Sequence, residues 1–111
     1  MTQEKVHTVV QHFSEAARQI YGPALGGVIL FGSCARGDCS PDSDIDLMVL
    51  LDTPQSQMGQ ERKKILDATD ALDLEYDVVL TPVFLNKKLF EEYLPVSKFY
   101  QNVQREGLRY A

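Results

Sequence analysis

Two apolar runs of strand length, Gly26-Gly27-Val28-Ile29-Leu30-Phe31 and Leu47-Met48-Val49-Leu50-Leu51, lie on either side of a short polar segment. Neither run alternates with polar residues as a half-exposed strand does, so both must be covered on two faces. That requirement restricts the chain to a small sheet flanked by helices, an α/β (α+β) architecture. The segment between the runs is itself specific. It opens with Gly32-Ser33-Cys34-Ala35-Arg36-Gly37, passes through the loop-forming Asp38-Cys39-Ser40-Pro41-Asp42, and closes with Ser43-Asp44-Ile45-Asp46.

Each half of this segment has a chemical reading. Glycine at 32 lets the backbone come close to a ligand, and Ser33 offers an amide and a hydroxyl to a phosphate oxygen. A short helix opening at Ser33 would aim further unpaired amides at the same place. Arg36 adds a fixed positive fork. In the second half, residues two apart on an extended chain share a face, so Asp44 and Asp46 point together while Ile45 turns the other way. Adjacent carboxylates repel unless a cation lies between them, and a hard divalent ion such as magnesium suits an all-oxygen donor set. A third acid is wanted to hold a second ion or to accept a proton. Asp77, abutting the apolar Val78-Val79-Leu80 at the expected start of a third strand, is chosen over Glu75 and Asp73.

These residues resemble the minimal nucleotidyltransferases of the DNA polymerase β-like superfamily. The pattern is an apolar residue, Gly and Ser, then ten residues from Cys34 to Ser43, then Asp44-Ile45-Asp46-Leu47. The resemblance extends to Ala35-Arg36-Gly37, to Ser43, and to the ending Phe99-Tyr100-Gln101-Asn102-Val103-Gln104-Arg105-Glu106-Gly107. It implies a polymerase β-like nucleotidyltransferase fold and transfer of AMP from ATP to a hydroxyl, with two Mg2+ ions on Asp44, Asp46 and Asp77. It implies that Gly32, Ser33, Arg36 and Ser43 bind the nucleotide. It further implies an antitoxin that modifies a tyrosine of a small helical HEPN-type ribonuclease toxin. The alternatives are transfer to a small molecule such as an antibiotic, and an antitoxin that acts by binding alone.

Other readings fit less well. Asp42, Asp44 and Asp46 match the first, third and fifth positions of a calcium loop, but Leu47 and Thr53 stand where glycine and glutamate are needed. A phosphatase-type Asp-x-Asp pair would end an apolar strand, whereas this one begins it. The plain structural alternative is a turn at Gly32-Ser33 and a solvated acidic loop beside an ordinary hairpin.

At 111 residues the chain is expected to form one nucleotidyltransferase domain, 1–111, with a modest core. A net charge of -5 argues against an extended nucleic-acid surface. No apolar run reaches the length of a membrane span, and the N-terminus lacks a signal-peptide layout, so a cytoplasmic protein is expected. Cys34 and Cys39 are then expected as free thiols. His7 and His12 fall on a first helix whose inner face carries Val6, Val9, Val10, Phe13, Ala16, Ala17 and Ile20, and they are read as surface or packing residues. A single helix is expected over about 57–73, with Met58, Ile65, Ala68 and Leu72 inward and Arg62-Lys63-Lys64 solvated. Two short helices are expected near 87–93 and 95–105. The apolar stripe Val96, Phe99, Tyr100, Val103, Leu108 and Tyr110 is read as packing on the sheet, with a partner surface as the alternative.

Overall fold

Val6, Val9, Val10, Phe13 and Ala17 recur at helical spacing and form the buried stripe of helix α1, Gln3–Tyr21, in the computed structural model, which describes residues 1–111. The Thr2 hydroxyl accepts the Lys5 amide at 3.1 Å and starts the helix. At its far end the Tyr21 hydroxyl donates to the Glu61 carbonyl at 2.6 Å. Burial, with the Glu61 charge adding to it, pushes that phenol's pKa up, so it stays a donor.

The two central apolar runs become β1, Leu25–Phe31, and β2, Ile45–Leu51, paired antiparallel with Phe31 opposite Asp46. A third strand, β3, Leu80–Asn86, lies parallel to β2, and a two-residue β4, Leu108–Arg109, lies antiparallel to β1. The sheet order is β3-β2-β1-β4, the small mixed sheet that the pattern predicts. Parallel pairing of β2 and β3 needs a crossover, which α3, Met58–Lys63, and α4, Leu66–Tyr76, supply.

Alternation along the strands divides the sheet into two faces. Val28, Leu30, Ile45, Leu47, Val49 and Leu51 join the α1 and α4 side chains in the main core. Ile29, Met48, Leu50 and Leu85 face the other way, under Phe90 of α5, Lys87–Tyr93, and Val103 of α6, Lys98–Glu106. Both faces are covered, which is why neither central run alternates with polar residues.

Three elements differ from the sequence expectation. The helix expected over 57–73 is broken at Lys64-Ile65, where the Lys64 and Ile65 amides bond three residues back, to Glu61 and Arg62. The tightened turn sends Ile65, fully buried, into the core. The third strand begins at Leu80, not at Asp77. Asp77 instead ends α4 in the left-handed region, φ 53°, its amide bonded to the Asp73 carbonyl, and the Asp73 carboxylate accepts the Leu80 amide at 3.0 Å. Burial pushes the Asp73 carboxyl up, while the Leu80 hydrogen bond pulls it down. Finally, the chain after α6 turns back into β4, so the terminal stripe is not one helix.

That turn depends on Gly107. A Cβ there would meet the Val103 carbonyl and the Ile29 side chain, and backbone cannot give way as a flexible side-chain tip can. Gly59 in α3 has nothing within 4 Å of a built Cβ. Gly107→Ala is therefore expected to cost about 1–3 kcal/mol in a urea melt, whereas Gly59→Ala is expected to stabilise by up to about 1 kcal/mol.

Candidate active site

Gly32 follows β1 with φ 75°, a conformation that turns the backbone sharply at the strand end. The next four residues form a single-turn helix, α2, Ser33–Arg36, whose Ala35 and Arg36 amides both return to the Gly32 carbonyl. The Ser33 and Cys34 amides have no partner within the chain. Gln3 of α1 donates to the Cys34 carbonyl at 2.9 Å and ties this turn to the first helix.

Across from the turn, Asp44 and Asp46 stand at the mouth of β2. Asp46 is half-buried and Asp44 exposed. Since Ile45 and Leu47 point into the main core, the carboxylates lie on the α5–α6 side, with Phe31 of β1. The Asp46 Oδ1 accepts the Thr81 hydroxyl at 2.8 Å, because the parallel register sets Thr81 beside Asp46. Its Oδ2 occupies the space that a side chain at position 32 would need. The phosphate-sized turn and the Asp46 carboxylate are thus in direct contact. The Asp44 carboxylate has no hydrogen-bond or ion-pair partner in the chain.

The other sequence candidates take different positions. The Arg36 guanidinium is half-exposed and pairs with Glu106 at 3.5 Å and Asp38 at 4.0 Å. The Ser43 hydroxyl is engaged with Ser40, accepting its amide at 2.9 Å, and closes the 40–43 turn that delivers Asp44. Asp77 is exposed at the end of α4, lining a shallow depression with Asp42 and Ser43. It does not join Asp44 and Asp46: no three acidic, histidine or cysteine side chains gather where they could hold a metal ion. Cys34 and Cys39, expected as free thiols, are joined in a disulfide with Cα atoms 4.3 Å apart. The reversal around Gly37, in the left-handed region, brings the two sulfurs together. Being oxidised, Cys34 donates nothing to the Asp44 carbonyl, 3.5 Å away. His7 meets the Tyr110 hydroxyl at 2.9 Å, and His12 stacks near Tyr76, both packing roles.

Sequence reasoning missed Thr81, Glu106 and the wall that α6 builds beside the turn. Thr81 is polar within an apolar strand, which was a usable signal, but its meaning depends on a register that only the folded sheet provides. The donor set of Asp44 and Asp46, two carboxylates with one oxygen already held by a hydroxyl, suits a hard divalent cation.

This geometry has close relatives. The nucleotidyltransferase domain model matches residues 10–109. Putative protein adenylyltransferase MJ0604 of Methanocaldococcus jannaschii is 32% identical over 107 residues, covering 96% of each chain. A second protein of that name from the same archaeon, MJ0141, is 29% identical over 86 residues, which is 78% of this chain and 85% of the relative. A solved structure described as a putative minimal nucleotidyltransferase superposes with a TM-score of 0.55 at 25% identity, covering 97% of this chain and 95% of the other. The MntA-HpeT toxin-antitoxin structure shares the fold, with a TM-score of 0.54 at 17% identity over 100% of this chain and 73% of its own. With the match spanning the Gly-Ser turn, the carboxylate pair and the strand that supports them, the chain belongs to the nucleotidyltransferase-domain family and is a nucleotidyltransferase.

Proposed function

We propose that this enzyme transfers AMP from ATP to a protein hydroxyl, a tyrosine of a HEPN-type toxin partner in the cytoplasm, releasing pyrophosphate. The observation that carries the transfer chemistry is the contact between Gly32 and the Asp46 carboxylate. In this reading the Gly32-Ser33 turn is the triphosphate cradle, and it lies directly against the Asp46 carboxylate. The relatives named as protein adenylyltransferases support AMP and a protein acceptor. The shared fold with MntA supports a toxin partner.

In this reading the unpaired Ser33 and Cys34 amides and the Ser33 hydroxyl hold the β and γ phosphates, with Arg36 at the edge. Asp44 and Asp46 would hold the Mg2+ ions, two in the full reading, and the ions would neutralise the triphosphate and polarise its α-phosphorus. Thr81 keeps the Asp46 carboxylate in one orientation by occupying Oδ1. Ser43 acts through the loop turn, fixing where Asp44 enters the strand. The acceptor oxygen forms its bond to the α-phosphorus as the bond to the β-phosphate oxygen breaks, and its proton passes to a carboxylate oxygen of the pair. Tyr93 and Val96, exposed at the junction of α5 and α6, offer apolar surface to a protein acceptor.

Incubation with α-labelled ATP and magnesium is expected to label a partner polypeptide. Asp44→Asn and Asp46→Asn should each lower that labelling on the order of a hundredfold. Retained labelling in either variant would remove the carboxylates from the mechanism, and tight partner binding without any label would favour contact-only inhibition. Asp77→Asn separates two from three acid ligands. From its position at the α4 cap we expect transfer within about threefold of wild type, and a loss comparable to Asp46→Asn would make it the third ligand. Gly32→Ala, placing a methyl against the Asp46 carboxylate, should reduce turnover at least tenfold or so, read in the same labelling assay beside a thermal melt.

A further inference from the structure

Beside the Gly-Ser turn, on the carboxylate face of the sheet, lies a hollow of about 220 Å³ whose α6 wall has no part in the transfer chemistry described above. Phe31 and Phe99 wall it, with ring centroids 5.6 Å apart and planes at 78°, and the buried Val103 lines it between them. Phe99 is half exposed, a large aromatic surface left uncovered next to a polar site. Gly32 and Arg36 belong both to this hollow and to the phosphate turn. A ligand whose phosphates rest on Ser33 thus has an aromatic slot within reach of its remaining part.

We propose that this hollow is the nucleobase subsite, with Phe99 stacking on the base and Asn102 reading its edge. The assignment rests on nucleotide transfer as the activity. Asn102 lines the slot, and its amide orientation follows from Arg105, which only donates: the Arg105 guanidinium bonds the Asn102 Oδ1 at 2.6 Å, leaving the Nδ2 hydrogens without a partner. They are available to a ring nitrogen or carbonyl of a base. Arg105 also pairs with Glu106 at 3.7 Å, and Glu106 with Arg36 at 3.5 Å. This chain of surface contacts links the base-reading amide to the arginine at the phosphate turn.

Charge and size give the direction of entry. Glu106 lines the slot and is paired with Arg36 and Arg105, so the two cations are already engaged there and the free amides for phosphate lie at the Ser33 turn. The volume falls below the roughly 300–1,000 Å³ that encloses a whole small-molecule ligand, so it takes a ring and not the full nucleotide. An acceptor tyrosine inserted ring-first would bury its hydroxyl against Val103, away from the carboxylates, whereas a base inserted there keeps its sugar and phosphates outside.

Calorimetric titration of the intact chain with Mg-ATP and with Mg-tripolyphosphate tests this directly. Phe99→Ala is expected to weaken ATP about tenfold, in the range of base-aromatic stacking, and to leave tripolyphosphate affinity unchanged. Phe99→Leu, which keeps apolar bulk over Phe31, guards against a folding defect and should lose a smaller part of the same affinity. Asn102→Ala, at an exposed position, should narrow the spread of affinities among ATP, GTP, CTP and UTP. Wild-type ATP affinity in both Phe99 variants would overturn the subsite, as would equal loss of ATP and tripolyphosphate. A Phe99→Ala enzyme with unchanged ATP binding but a raised KM for the acceptor would give the slot to the acceptor instead, and so overturn it. Wild-type protein that binds neither ATP nor tripolyphosphate would bring down the transfer reading itself, an outcome distinct from failure of the slot alone.

Discussion

Position 32 and the Asp46 carboxylate compete for one volume, and the competition is resolved by glycine. Any side chain at 32 would push that carboxylate away or force β1 and β2 apart, and Phe31 is paired directly with Asp46. The left-handed turn at Gly32, the short α2, and the location of Asp46 between Thr81 and that turn all follow from this close approach. In electrostatic terms it keeps two free donor amides and an acidic side chain side by side, a combination that suits a phosphate accompanied by a cation.

The covering of the sheet follows from the same demand. Asp44 and Asp46 must meet solvent at one end of β2, while Met48 and Leu50 on the same face must not. The C-terminal helices meet both conditions by covering only part of that face. Phe90 of α5 and Val103 of α6 bury the inner stretch, and the face beside Phe31 and Gly32 stays open. Exposed Phe99 marks the boundary between the two regions.

Much of this was legible in the sequence because it is local. The central strands, the first helix, the motif turn and the short helices after β3 each announce themselves by apolar runs, spacing or turn residues. What stayed hidden depends on contacts between distant segments. Val78-Val79-Leu80 reads as a strand start, yet the Asp73 carboxylate captures the Leu80 amide and the helix extends to Asp77, which delays the strand. The break at Lys64-Ile65 has no proline or glycine to signal it and serves the burial of Ile65. Cys34 and Cys39 look unremarkable five residues apart, and only the reversal around Gly37 brings their sulfurs together. Likewise the terminal stripe divides, with Val103 in the core and Val96 and Phe99 at the surface.

The antiparallel pairing of β1 and β2 also bears on the order in which the chain assembles. These strands are sequence neighbours joined through the motif, so closing them costs little loop entropy, whereas β3 must wait for the α3–α4 crossover and β4 for the chain beyond α6. The hairpin holding the phosphate turn and both aspartates is the segment of the sheet with the shortest contact distances along the chain. The part of the sheet that is cheapest to close is therefore also the part that carries the candidate site. The α6 wall, by contrast, reaches that hairpin only through contacts that span about seventy residues of chain, as between Phe31 and Phe99.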